Sequence, residues 1–437
     1  MLYSLSMTNS IAAEGLHKAP WPKRLEFFVE TMRWMSSETD PQRMVRNYGA
    51  RMGEFFSRDG LISLSRRDLT SPFYRVTRSH TWTHEVNPWK QKIQLPTLDR
   101  GIMGEWIYGE QAIVVNDLKL VDGDPGEEFL KGMRSVMVVP QFDNGHALNM
   151  VVILKKQANG FDPEQLPEQV WIANLFGRAT HNLVLKDQLQ QAYDLLDREL
   201  KVVGDIQRSM LPKNLPELKS LDLAVDYRTS ARAGGDYYDF FELPDGRIGI
   251  MIADVAGHGT PAAVLMAVTH SIAHTLSGEP EPASQLLQFV NRHLCARYTT
   301  NGAFVTAFYG VYDPRTHALT YSRAGHCPPR LRSGRDGQII ALDQAVSLPL
   351  GIDADERFED YEHQLEAGDI LVFYTDGIIE ARDSTNELFG VERLDRAIAR
   401  GGDNVESILR STMLQVEDFT NGAAPVDDET LLVAKVM

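Results

Sequence analysis

Apolar positions near the start of the chain recur at intervals of three and four. Leu25, Phe28, Val29, Met32 and Met35 predict an amphipathic helix, and a second helix is predicted from Pro41 to Phe56. The pattern then becomes strand-like, in GLISLS around Leu61, YRVTRS around Val76, AIVVND, SVMVVPQF and ALNMVVILKK. Asp143-Asn144-Gly145 separates the last two and reads as a hairpin turn. A helix from Pro163 through Trp171, Leu175 and Leu183 closes this block. Helices flanking an antiparallel sheet predict an α+β domain over residues 21–185, behind a flexible N-terminus of residues 1–20.

The next stretch is helical without glycine until Gly204. Leu185, Leu189, Ala192, Leu196, Val203, Ile206 and Met210 fall close to a heptad stripe, which Glu199 interrupts. Such a stripe packs on its own domain or pairs two chains. The run from one block into the next favours a helical, coiled-coil linker over residues 186–212, and through it a homodimer. Pro212 and Pro216 end the helix.

In residues 213–437 short apolar strands alternate with turns: LDLAVDYRTS, GRIGIMIADVAG, AFVTAFYGVYD, ALTYSRAG, GDILVFYTDG and ETLLVAKV. Helical patterns interrupt them at TPAAVLMAVTHSIAHTL, at PASQLLQFVNRHLCARY and from Val391 to Asp418. This predicts a β-sandwich flanked by helices.

Composition narrows the function. The 437 residues carry 44 Lys and Arg against 60 Asp and Glu, a net charge of -16. A general nucleic-acid binder needs a basic face, and an anionic membrane surface would repel this chain. Two cysteines, Cys295 and Cys327, cannot build a disulfide framework or a cysteine zinc site, so a reduced cytoplasm is expected. No apolar run of about 18 residues predicts a membrane span, and the first residues do not read as a signal peptide.

The chemistry lies in the third block. Asp236 sits in AGGDYYDFF, Asp254 ends IGIMIAD, Asp376 ends ILVFYTD, and Asp427 with Asp428 precedes ETLLVAKV. A carboxylate where a buried strand meets solvent is well held and still wet. Several converging would form an oxygen-only site for Mg²⁺ or Mn²⁺. Two such ions about 3.5–4 Å apart could activate a shared water and clamp a phosphoryl oxygen. Gly234, Gly235, Gly257, Gly259 and Gly377 allow tight turns and close approach.

In GGDYYDFF, IADVAGHGTPAAVLMA, AFYGVYD, YSRAGHCPP, LPLGI, GDILVFYTDGIIEARD, LFGVERL and DDETLLV this block resembles the metal-dependent PPM protein phosphatases, in their bacterial SpoIIE-like branch. The resemblance implies hydrolysis of phosphoserine or phosphothreonine without a covalent phosphoenzyme. It implies that Asp254 bridges two metal ions with the Val255 carbonyl as a further ligand. Asp376 and Asp427 would bind on either side, and Asp236 mostly through metal-bound water. Asp427 is preferred to Asp428 because it fills the first position of the family's closing acidic pattern. The substrate implied is a small phosphorylated regulator of the anti-anti-sigma type.

The eukaryotic branch places a histidine two residues after the bridging aspartate. Here that place is Ala256, and His258 lies two further on. His258 either protonates a leaving alkoxide or only caps the next helix. His326 in AGHCPP is expected to organise a loop. Arg232, beside GGD, is a phosphate-binding candidate or a solvated surface arginine. HCPPRLR holds Cys327 and Arg330, but its prolines remove backbone donors that a cysteine-phosphatase loop needs. No GxxxxGK[ST] stretch supports a P-loop enzyme.

Residues 24–185 resemble a GAF domain through DRGIMGEWIYGEQAIVVND, SVMVVPQFDNGHALNMVVILKK and the closing helix. This implies a sensor that binds a small molecule or a protein, or dimerises. No cysteine lies there to attach a bilin. Trp82, Trp89 and Trp106 line a pocket or build the core. The expected protein is therefore a sensor, a helical transmitter and a metal-dependent phosphatase. The alternatives are a catalytically weak scaffold, against which all four acidic positions speak, or another two-metal phosphoester hydrolase, which would usually use histidine ligands.

Overall fold

The computed structural model describes residues 18–84, 86–243, 246–276, 282–299, 302–344 and 346–437. Most of the expected flexible N-terminus, residues 1–17, lies outside the described residues. The chain forms two compact units, Met1–Tyr193 and Asp194–Met437.

The first unit opens with α1 (Trp21–Ser37) and α2 (Pro41–Phe55). Asp40 caps α2, its side chain accepting from the Arg43 N–H at 2.6 Å. The buried face of α1 is not the expected one. Phe27, Thr31 and Met35 are buried, whereas Leu25, Val29 and Met32 are exposed. Phe27 rotates the helix inward by packing edge-on against Phe55, with Met52 and Phe56 in the same cluster.

The sheet that follows comprises β1 (Gly60–Ser65), β2 (Tyr74–Ser79), β3 (Thr97–Leu98), β4 (Ile113–Val115), β5 (Ser135–Asp143) and β6 (His146–Lys155), ordered β3-β2-β1-β6-β5-β4 and antiparallel. α3 (Ile102–Gly109) precedes β4, and α4 (Glu127–Leu130) precedes β5. The hairpin turn is as expected: Asn144 and Gly145 take φ of 51° and 85°, joining β5 to β6. Alternation divides the sheet between two cores. Val136, Val138, Met150 and Val152 pack with Met103, Trp106 and Ile107. Met137, Val139 and Ile153 face Ala173. Of the three tryptophans, Trp106 is core. Trp89 lines a cavity of about 320 Å³ with Arg67, Arg75, Lys92 and His181.

Ala173 belongs to α5, which runs Leu166–Arg208 as one helix. It ends before Pro212, as expected. Leu185, Leu189, Leu196 and Ile206 from the heptad stripe stay 48%, 57%, 51% and 54% exposed, so this face has no cover within the described chain.

The second unit stacks two five-stranded antiparallel sheets. One has the order β14-β11-β10-β9-β8, from β8 (Tyr237–Glu242), β9 (Ile248–Val255), β10 (Val305–Asp313), β11 (Ala318–Ala324) and β14 (Tyr361–Gln364). The other is β13-β12-β15-β16-β7, from β7 (Leu221–Arg228), β12 (Arg330–Arg332), β13 (Ile339–Ala341), β15 (Ile370–Tyr374) and β16 (Glu429–Val436). Phe308 of the first sheet and Phe373 of the second meet between them, ring centroids 5.4 Å apart. Burying each such ring contributes about 1.5–3 kcal/mol.

Helices α6 (Thr260–Ala273) and α7 (Ala283–Arg297) cover the first sheet. The second sheet carries α8 (Asp376–Glu380), α9 (Gly390–Arg400) and α10 (Val405–Phe419). The expected helical stretch 391–418 is thus two helices. Gly402 breaks it with φ of 82°, and Asn404 caps α10 through the N–H groups of Glu406 and Ser407.

Candidate active site

The acidic residues sit at one end of the sandwich. Asp236 immediately precedes β8, and Asp254 lies at the end of β9, its antiparallel neighbour. Asp376 follows β15 and opens α8, while Asp427 and Asp428 lead into β16, which pairs with β15. Two adjacent strand ends in each sheet therefore present carboxylates at the same rim. The expected four positions are brought together.

Asp236 is the deepest, at 1% exposure. Thr375 and Thr430 both donate hydroxyl hydrogen bonds to its Oδ2, at 2.7 and 2.5 Å. Thr430 lies in β16 and Thr375 directly follows β15, so this carboxylate ties the two sheets together. Its Oδ1 is buried without a hydrogen-bond partner among the described residues. Burial pushes the Asp236 carboxyl well above the usual carboxylate range, against the two threonine hydrogen bonds, with the charges of Asp428 and Asp376 adding to the rise. Asp254 is pushed up by burial and then by the charges of Asp236, Asp376 and Asp427. Asp376 rises through burial, Asp427 and Glu380.

The two adjacent aspartates do different work. Both oxygens of Asp428 are taken by a loop: Oδ1 accepts from the Ser230 N–H at 2.8 Å and Oδ2 from the Gly235 N–H at 2.6 Å. Asp427 is exposed, and it is the one whose charge raises both Asp254 and Asp376. The close approach that the glycines promised is real here. A Cβ on Gly234 would meet Asp428 Oδ2 at 2.7 Å, and one on Gly235 would stand 3.0 Å from the Val255 carbonyl oxygen.

The remaining candidates separate. His258 is exposed on the loop between β9 and α6. It does not cap the helix, because Gly259 occupies the N-cap position with φ of 76°, which favours glycine. His326 is buried, and burial pushes its imidazole down to about 3, so it is neutral. Its Nδ1 lies 2.9 Å from the Thr306 hydroxyl, and Thr306 is the cross-strand partner of Asp254. His326 thus braces the strand behind Asp254, in keeping with an organising role. Arg232 is a surface arginine, one of the two alternatives expected for it: it is exposed and pairs with the equally exposed Asp197 of α5 at 2.8 and 3.2 Å. Nearby, Gly204 approaches the Arg232 carbonyl so closely that a Cβ there would overlap it.

A cysteine nucleophile finds no support. Burial, then Asp376 and Asp254, push the Cys327 thiol up to about 12, which keeps it protonated. Arg330 is engaged by Asp395 at 2.7 and 2.6 Å.

Sequence reasoning missed the clamp on Asp236. Thr375 directly precedes Asp376, and Thr430 follows Asp428 by two, so both lay inside the noted stretches. Their role appears only when the two sheets meet. The donor set suits a hard divalent cation: several carboxylates, a carbonyl, a buried oxygen without a partner, and mutual repulsion that a cation would relieve.

A two-sheet sandwich flanked by helices, with carboxylates gathered at its rim, is the fold of PP2C phosphatases. The SiaA-PP2C domain of Pseudomonas aeruginosa shares it, with a TM-score of 0.50 over 56% of this chain and 98% of that chain at 19% identity. Residues 244–437 match the family described as Stage II sporulation protein E (SpoIIE). Phosphoserine phosphatase RsbU of Bacillus subtilis is 29% identical over 243 residues, 54% of this chain and 70% of RsbU. Phosphoserine phosphatase RsbP of the same organism is 27% identical over 244 residues, 55% of this chain and 58% of RsbP. The second unit is therefore a SpoIIE/PP2C-type domain of the protein serine/threonine phosphatase class.

Proposed function

We propose that the chain hydrolyses phosphoserine or phosphothreonine on a regulatory protein, with two or more Mn²⁺ or Mg²⁺ ions at the acidic rim. The observation that carries this reading is the buried, partnerless Oδ1 of Asp236 beside Asp254, whose charged form burial and three neighbouring carboxylates oppose. Asp254, the Val255 carbonyl, Asp376 and Asp427 would hold the ions, with Asp236 behind them. When bound, the ions would supply a nucleophilic water at neutral pH and charge stabilisation on the phosphoryl group. The chain's own part is positional. Thr375 and Thr430 fix one oxygen of Asp236, and the other stays buried without a hydrogen-bond partner among the described residues. Asp428 holds the Ser230–Gly235 loop, and His326 with Thr306 braces Asp254. His258, on its exposed loop, would serve as the proton donor to the leaving alkoxide.

Comparing a phosphoserine protein with a phosphodiester under Mn²⁺ tests the reading. Phosphate release from the monoester alone is expected. Preferential diester cleavage would favour another two-metal hydrolase, and no turnover of either would favour a scaffold.

Cation dependence should also appear in stability. Carboxyls raised on folding bind more protons in the folded state than in the unfolded one. Stability of the cation-free protein therefore falls as pH rises above the ordinary carboxylate range of about 4. In chelator the melting temperature is expected to fall between about pH 5 and about pH 8. Saturating Mg²⁺ should raise it more at the higher pH. An equal shift at both would count against cation binding by these carboxylates.

The first unit we read as a GAF-like sensor. Its antiparallel sheet, covered on both faces, supports this, and the cavity beside Trp89 would suit a small ligand. No described helix is long and apolar enough to cross a membrane. The proposed cytoplasmic location rests on the sequence alone. An anti-anti-sigma type of substrate rests on the family resemblance. The uncovered stripe of α5 supports a homodimer. Leu189→Glu with Leu196→Glu is expected to give a monomer by sedimentation. An unchanged dimer would show that this stripe does not pair the chains.

A further inference from the structure

A second cluster of metal-ligating side chains lies on the other face of β8. Side chains alternate along this strand. Tyr238 turns toward the second sheet, its ring 6.3 Å from that of Tyr227. Tyr237 and Asp239 turn the other way, toward α6, where the Tyr237 ring sits edge-on to His270 at 5.5 Å. Asp236 bonds to threonines of the second sheet. The first sheet therefore separates this cluster from the acidic rim.

His270 and His274 stand four residues apart at the end of α6, so their rings project from one helix face. Both converge on one carboxylate oxygen. His274 Nε2 lies 2.7 Å from Asp239 Oδ2, and His270 Nδ1 lies 3.5 Å from it. The Tyr237 hydroxyl donates to the same oxygen at 2.5 Å and lies 3.2 Å from His270 Nδ1. One ligand atom from each of Asp239, His270 and His274 falls within 4.8 Å of the others. In a tetrahedral site with bonds of about 2.0–2.1 Å, ligand atoms stand roughly 3.4 Å apart. Small ring rotations would reach that spacing. Phe241 stacks on His274 at 5.0 Å, and the Asp239 Oδ1 accepts from the Phe240 N–H at 2.8 Å, so two of the three ligands are already oriented.

We propose that Asp239, His270 and His274 form a second cation site, selective for Zn²⁺ or a similar transition metal rather than for Mg²⁺. Two imidazoles and one carboxylate favour zinc, whereas the rim offers only oxygen. His274 is half-exposed, which leaves an entry path and room for a water as fourth ligand. An ion here would pin α6 to β8. Asp236 immediately precedes β8, and the Asp254 loop runs into α6, so the site would stiffen the frame of the acidic rim without joining it.

Zn²⁺ binding to the full chain, measured calorimetrically in excess Mg²⁺, tests this. One Zn²⁺ per chain is expected in the wild type and in Asp376→Asn. His274→Ala is expected to weaken it at least about ten-fold. Co²⁺ should give the intense visible absorption of a tetrahedral site in the wild type, and this should disappear in His274→Ala. The exposed position of His274 keeps that variant folded, and its melting curve without zinc verifies this. No zinc binding in excess Mg²⁺, or equal binding by wild type and His274→Ala, would overturn the proposal.

Discussion

Asp254→Asn is expected to lower phosphate release by about a thousand-fold while raising the melting temperature of the cation-free protein. The two effects share one cause. Asp254 lies at the rim where burial and the charges of Asp236, Asp376 and Asp427 all oppose its ionised form. Asparagine keeps the shape and removes the charge, so the cation-free fold is relieved of repulsion. The same change removes an anionic ligand proposed to hold the ions. Several kcal/mol of charge stabilisation correspond to about three decades in rate. Rate assays with Mn²⁺, paired with thermal melts in chelator, check both arms. Loss of activity with a lower melting temperature would mean a folding defect rather than a lost ligand.

Gly377→Ala is expected to damage both fold and activity without changing any charge. Gly377 is the second residue of α8, directly after Asp376. A Cβ there would fall well inside contact distance of the Asp428 carbonyl oxygen, which is backbone and cannot swing aside. Either α8 or the start of β16 must move. Overpacking of this kind costs about 1–3 kcal/mol. The displaced segments carry Asp376 and Asp427, and a misplacement of about 1 Å at a reacting centre costs on the order of 10²-fold. Gly109→Ala serves as control, since nothing lies within 4 Å of its Cβ position. Wild-type melting and activity in Gly377→Ala would show that the Gly377–Asp428 junction can open to admit a methyl group.

Much of this was legible in the residue pattern, for identifiable reasons. The β5–β6 hairpin declared itself because Asn144 and Gly145 need positive φ that few other residues adopt. β9, β15 and β16 were legible as apolar runs ending in or following aspartate. β8 was harder, because YYDFFE mixes aromatic and acidic residues that face two different layers. The inward face of α1 was misread: exposed Leu25, Val29 and Met32 have the same period as a buried stripe, and only the partner, Phe55, decides which face turns in. The 391–418 stretch kept its helical period across Gly401 and Gly402, so its break was visible only as a pair of glycines.

The four rim aspartates could be listed from sequence, but what holds them could not. The Thr375–Asp236–Thr430 clamp joins residues 139 and 194 positions apart. The Asp239, His270 and His274 cluster was invisible for the same reason. Its two histidines have metal-ligand spacing, yet the carboxylate comes from a strand more than thirty residues earlier.

The acidic rim is proposed to use divalent cations to hydrolyse a phosphorylated protein side chain. Phosphate release from a phosphoserine protein by the full chain, titrated with Mn²⁺ and Mg²⁺ after chelator treatment, tests it most directly. No release in chelator and saturable recovery with cation are expected. Full release in chelator, or no release at any cation concentration, would contradict it.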